Sequence, residues 1–332
     1  MNIKELIDRS RDKLGDELEC FLAQIPSETS LRERRLLYLI AKYLWDGNED
    51  ILEIGPFLGG TTRALALGAL HNKSVVKSGR VRTIDKFDNY YSNDRLKKYI
   101  HGSTLPNDIK VHSVDSLTKS GNFYHTFLSI HNNQPYSHLL EALVFDLESS
   151  TTVQLPSPYK ILHVDGCKSW KSTLNLFTLL SQPCEAGTIL ALQDYYWYSC
   201  FWLPVITSLL DNRVERVGEA DSTCIFVARK RIDSKVIEAC VPKDAHALDC
   251  YAYERIFDKL FKLESLENHT RGKVIVKIQL AAAYAYIGKR DLAKDLISCI
   301  LEEYKDSKWA DLIRQAQISP TYNSKGAIFL HS

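Results

Sequence analysis

The sequence predicts an α/β fold: a doubly wound, mostly parallel sheet with N-terminal helices before it and a C-terminal helical extension after it. Three observations carry this. Short apolar strands alternate with helical segments between residues 51 and 228, as in a parallel sheet covered on both faces. The stretch Ile51-Leu52-Glu53-Ile54-Gly55-Pro56-Phe57-Leu58-Gly59-Gly60-Thr61-Thr62 runs from strand through glycine-rich turn to helix start, which lets backbone approach a nucleotide-like ligand. After Lys230 the apolar spacing turns helical.

Taken in order, residues 3–24 read as a helix with Ile3, Leu6, Ile7 and Leu14 on one side, broken at Pro26. Ser30-Leu31-Arg32-Glu33 fits a capping box, and Leu36, Leu37, Ile40, Tyr43 and Leu44 extend an apolar stripe through residue 45. Strands are expected at 51–54, 80–84, 109–114, 160–164, 187–192 and 222–228. Helices are expected at 61–71, 92–100, 170–181 and 200–210, with another near 120–131. The apolar run 139–145 suits a strand or a buried helix, and the region 116–159 reads as one helix plus an insertion near the ligand side.

Residues 245–315 read as helical, with Tyr253, Ile256, Phe257, Leu260 and Leu263 on one stripe. The segment 276–304 is similar to a single tetratricopeptide-type helix pair. Stacked repeats need about three units, so an extension packed on the main domain or on another subunit is expected instead. The chain thus divides into N-terminal helices (1–48), a ligand-binding domain (49–231), helices (245–318) and a loose tail (319–332).

Lys and Arg total 42 against 41 Asp and Glu, without long runs of either sign. No basic, aromatic-interleaved strip argues for nucleic acid. The N-terminus carries acids early, unlike a signal peptide, and no stretch approaches the ~18 apolar residues of a membrane span. Eight cysteines show no Cys-x-x-Cys pair, which suits reduced thiols in a cytoplasmic protein and not a zinc site.

The candidate site residues follow from strand ends. Glu53, Gly55, Gly59, Gly60 and Thr61 form the turn and helix start. Asp85 closes the second strand, where a carboxylate can accept both hydroxyls of a ribose; a turn acid or helix cap is the bland alternative. Asp115-Ser116 follows the expected third strand. An acid there can accept from an exocyclic amine, or simply make an Asx-turn. Tyr195-Tyr196-Trp197-Tyr198 lies after the fifth expected strand and suits either a ligand pocket or core packing.

The spacing Glu-x-Gly-x-x-x-Gly-Gly is not the Gly-x-Gly-x-x-Gly of dinucleotide enzymes, which disfavours a nicotinamide dehydrogenase. It resembles the first motif of class I S-adenosylmethionine (SAM) dependent methyltransferases. His163-Val164-Asp165-Gly166-Cys167-Lys168-Ser169-Trp170 and Ala186-Gly187 through Gln193-Asp194-Tyr195 resemble the later motifs of small-molecule O-methyltransferases of the macrocin, cephalosporin-hydroxylase-like and rhamnosyl group. The resemblance covers about residues 30–230. It implies a Rossmann-like methyltransferase sheet, SAM as cofactor and O-methylation of a sugar or secondary metabolite. Asp115-Ser116 would meet the adenine edge, and Asp165 the methionine end.

In those relatives two or three carboxylates hold a divalent ion such as Mg²⁺. Here Asp165 and Asp194 remain, but Cys167 and Lys168 replace the acid and histidine of the fourth-strand loop, and Gln193 precedes Asp194. Cysteine is a poor Mg²⁺ ligand and lysine repels a cation, so the departures weigh against a metal. The candidate catalytic residues are Asp165 and Asp194 as proton acceptors, with Lys168 as a further base should its pKa be depressed. His163, inside a strand, reads as a core histidine. The alternative is a SAM-fold protein that has lost its chemistry and serves as a binding or interaction module. A homodimer through the helical segments is also expected.

Overall fold

The computed structural model describes residues 1–74, 76–88, 91–120, 122–149, 151–263 and 270–318. Its centre is β1 (Asp50–Ile54), buried at every position. Parallel neighbours lie on both sides, β2 (Val81–Asp85) and β4 (Tyr159–Val164). A strand flanked twice and covered twice must be apolar almost throughout, as Ile51, Leu52 and Ile54 are. The remaining strands are β3 (Leu140–Val144), β5 (Ile189–Leu192), β6 (Val214–Ala220) and β7 (Thr223–Ala228).

They form one seven-stranded sheet in the order β3-β2-β1-β4-β5-β7-β6. Strands β1 to β5 run parallel, and β7 is antiparallel to both β5 and β6. The strand order reverses between β1 and β4, the place where a doubly wound sheet opens a crevice at its carboxyl ends.

Alternation sends Ile51 to one face of the sheet and Leu52 and Ile54 to the other. The first face is covered by α1 (Ile3–Arg9), α2 (Asp16–Ala23), α3 (Leu31–Leu44) and α4 (Gly60–Leu70). Ser30 and Glu33 make the expected capping box at the start of α3. The single helix expected over 3–24 is split, because Gly15 at φ 112° starts α2 afresh.

On the second face lie α8 (Trp170–Thr178) and α9 (Trp202–Leu209), then α10 (Ser234–Cys240), α11 (Cys250–Phe261), α12 (Thr270–Tyr286), α13 (Arg290–Glu303) and α14 (Ala310–Ile318). The C-terminal helices share one apolar core with the sheet: Ile275, Ile278 and Ile297 belong to the same cluster as Leu162 and Phe226. Burial of each such side chain stabilises the fold by roughly 1.5–3 kcal/mol. Gln279 of α12 adds direction, its amide donating at 2.8 Å to the carbonyls of Tyr195 and Trp197. The tail from residue 319 lies outside the described residues.

One expected strand is corrected. Residues 109–114 belong to α6 (Asn107–Ser120), which with α5 (Asn93–Gly102) and α7 (Tyr124–His131) fills the long β2–β3 connection. The third strand is drawn from the ambiguous run 139–145. As an edge strand it stays half exposed, with Val144 open on one side. The packing of Leu117, Phe127 and Ile130 against Phe87 and Leu58 makes helices of the intervening segments.

Candidate functional site

The carboxyl ends of β1 to β5 open into a cavity of about 860 Å³, a size that holds a nucleoside together with a second small molecule. Its floor is the turn after β1. Gly55, Phe57 and Gly59 all have positive φ, at 80°, 53° and 92°, a sequence of left-handed residues that only a glycine-rich segment adopts cheaply.

The glycines have different tasks. A β-carbon on Gly55 would stand 2.7 Å from the Gly166 nitrogen, because the ends of the paired strands β1 and β4 lie side by side here. One on Gly59 would come within 1.9 Å of the His131 ring, and one on Gly60 within 2.6 Å of Ser27. Gly55 and Thr61 line the cavity, while Gly59 and Gly60 are spent on packing α4 against its neighbours.

Glu53 does not line it either. It is fully buried below the turn, accepting from Thr62 Oγ1 at 2.5 Å and facing His163 Nδ1 at 3.5 Å. His163 is likewise a core residue.

Asp85 stands on the cavity wall at the tip of β2, its Oδ1 accepting the Phe87 amide at 2.7 Å. Burial pushes its carboxyl up to about 6, against the partial relief of that amide. Asp115 and Ser116 are not at a strand tip: they ride on α6, Asp115 exposed and Ser116 3.2 Å from Ser129, and neither lines the cavity. Their expected place is filled by the loop after the true third strand, where Phe145, Asp146, Leu147 and Glu148 line the wall. An acid directly after the apolar run 139–145 was the available signal.

Strands β4 and β5 pair with Val164 opposite Leu192, so the residues just beyond them meet. Lys168 Nζ lies between the two carboxylates, donating to Asp165 Oδ1 at 2.8 Å and to Asp194 Oδ2 at 2.5 Å. Burial raises the Asp165 carboxyl to about 6; the Lys168 ammonium lowers it and the Asp194 charge raises it again. Asp194 holds a left-handed φ of 60°, costly for a residue with a β-carbon and typical of functional sites.

The residues beside these three are engaged with other partners. Cys167 is buried with its thiol directed at the Ser172 carbonyl, 3.7 Å away, and burial pushes that thiol up to about 12. Gln193 donates to Ser222 Oγ at 2.9 Å. Among the described residues no group of three or more His, Cys, Asp or Glu converges for a metal. Two carboxylates already bridged by an ammonium do not fit a divalent ion, which needs about six oxygen ligands.

A further part of the cavity wall was not foreseen. It is formed by residues 27–30 and Glu33, by Asp221 and Ser222 in the β6–β7 turn, and by Arg271 of α12. Glu33 ties these parts together, accepting from Ser30 N at 2.7 Å, from Ser222 Oγ at 2.8 Å and from Thr223 Oγ1 at 2.8 Å. Of the aromatic run after β5 only Trp197 lines the cavity; Tyr195, Phe201 and Trp202 are core.

No protein-family model and no curated protein matches the sequence. Among the solved structures that overlay on it in part are two methyltransferases. The S-adenosylhomocysteine (SAH) bound methyltransferase PaMTH1 of Podospora anserina is 14% identical, covering 69% of this chain and 87% of that one at a TM-score of 0.36. Coclaurine N-methyltransferase bound to N-methylheliamine and SAH is 10% identical, covering 85% of this chain and 78% of that one at 0.25. At such overlaps the fold stands on the strand order alone. No described helix is long and apolar enough to cross a membrane.

Proposed function

We propose that the chain binds SAM and transfers its methyl group to a hydroxyl of a small molecule, a sugar or secondary metabolite by the resemblance of its motifs. The observation that carries this reading is the placement of Asp85 at the tip of β2, beside the Gly55 turn, in the same cavity as Asp165 and Asp194. The donor set fits the cofactor. Asp85 offers two oxygens to vicinal ribose hydroxyls, and Asp146 offers an acceptor to an exocyclic amine. Asp165 offers a carboxylate to a positively charged amino acid end.

SAM, when bound, supplies a methyl group on a positively charged sulfur. The chain's own part is to orient the acceptor and remove its proton. Asp165, raised to about 6, is tuned closer to neutrality than an ordinary carboxylate, and Asp194 stands across the same ammonium. Lys168, held between two carboxylates, acts as a charged donor and not as the base. The acceptor would lie against Ser222, Trp197 and Arg271, which line the same cavity. Calorimetry with SAH, SAM and NAD tests the reading: binding of the first two tighter than ~100 μM is expected. NAD binding without SAM binding would overturn it.

A further inference from the structure

We infer that Lys168 is a built-in cation that stands where a divalent ion would bridge Asp165 and Asp194, so that the site works without metal. The role given below to that cation during reaction rests on the methyl-transfer reading; its exclusion of metal does not.

Two carboxylates brought together at the ends of adjacent strands repel one another and require positive charge between them. The chain supplies that charge itself. Nζ reaches both oxygens, and Lys168, Asp165 and Asp194 keep only 21%, 23% and 11% of their side-chain exposure. The arrangement is anchored on every side. The Asp165 amide donates to the Ile54 carbonyl at 2.8 Å and the Gln193 amide to the Val164 carbonyl at 2.9 Å. Asp194 is kept in its left-handed conformation while the Trp197 amide donates to its carbonyl at 2.9 Å. A backbone strained at the residue that meets the ammonium is a geometry the fold maintains.

The neighbouring departures agree. A metal would need further oxygen ligands. Cys167 faces the core, and the Gln193 side chain is engaged with Ser222 and Thr223. Both side chains are committed to these other partners. An ammonium needs no octahedral shell: it offers three donors and one positive charge. As an acceptor hydroxyl gives its proton to a carboxylate, that charge steadies the oxygen left behind, and Lys168 keeps its own protons.

The inference is tested by electron paramagnetic resonance of Mn²⁺ titrated onto three proteins. The wild type is expected to leave Mn²⁺ free, with SAH affinity unchanged by EDTA. Lys168→Ala bares the carboxylate pair, and its Mn²⁺ affinity is expected to tighten at least about tenfold, since even at the dielectric of water a unit charge beside a divalent ion costs that much. Adding Asp165→Asn should abolish the gain. Stoichiometric Mn²⁺ binding by the wild type that Asp194→Asn removes would overturn the inference. So would a folded Lys168→Ala protein with unchanged Mn²⁺ affinity. If that variant does not fold, Lys168→Gln carries the same comparison, and the wild-type measurement stands alone. Failure of SAH binding would sink the methyltransferase reading and leave the Mn²⁺ results to speak for themselves.

Discussion

Replacing Asp85 by Asn should make the protein more stable while removing its ligand affinity. The carboxyl rises from an ordinary 3.8 to about 6 because burial penalises its charged form. Below pH 4 it is protonated folded or unfolded and contributes nothing. Between pH 4 and 6 the folded chain holds a proton that the unfolded chain releases, so its contribution to stability falls as pH rises. Above pH 6 the folded chain carries the full penalty, up to about 3 kcal/mol.

Asn keeps an oxygen for the Phe87 amide and never ionises. Urea denaturation of both proteins from pH 4 to 8, without ligand, gives the difference directly. It should be about 0.5 kcal/mol at pH 4, widen through pH 6 and favour Asn by roughly 2–3 kcal/mol at pH 8. Calorimetry at pH 7.5 should show SAH binding lost in the variant. A flat difference across pH, or an Asn protein less stable than wild type at pH 8, would refute the assignment of a desolvated, ligand-awaiting carboxylate at this strand tip.

Other substitutions probe the scaffold. Gly55→Ala places a β-carbon 2.7 Å from the Gly166 nitrogen at φ 80°; a loss of at least about 1–3 kcal/mol in thermal denaturation is expected, with weaker SAH binding. Gly59→Ala should cost more, since its β-carbon meets the His131 ring at 1.9 Å. Adding His131→Ala should recover part of that loss, and additive losses in the double-mutant cycle would contradict the packing account. Gln279→Leu leaves the Tyr195 and Trp197 carbonyls without their donor. A drop of about 1–3 kcal/mol in urea denaturation is expected, and an unchanged midpoint would mean α12 is held by apolar contact alone.

Much of the candidate site was legible because it follows a local rule. Gly55, Asp85, Asp165 and Asp194 all stand at or just beyond the ends of short apolar strands, and the carboxyl ends of parallel strands share one edge of the sheet. The rule failed where a strand was misplaced. Ile109-Lys110-Val111-His112 alternates like a strand, yet it lies in α6, whose Leu117 packs against Phe87 and Phe127. Periodicity cannot separate short apolar runs, and tertiary packing overrides it. Asp115 and Ser116 left the site with that strand, and Asp146 and Glu148 entered it.

By itself the sequence determined the turn, the strand tips apart from the third and the order in which they follow one another, since each depends on a few adjacent residues: an apolar run, a glycine, an acid. Which strands become neighbours is decided over the whole chain. Only the pairing of β4 with β5 sets Asp165 against Asp194, and only that contact turns Lys168 from a residue beside a suspected metal site into the cation within it. The part of the wall where Glu33 joins the N-terminal loop to the β6–β7 turn and Arg271 enters from the C-terminal helices depends likewise on contacts between segments far apart in sequence, which no local pattern encodes.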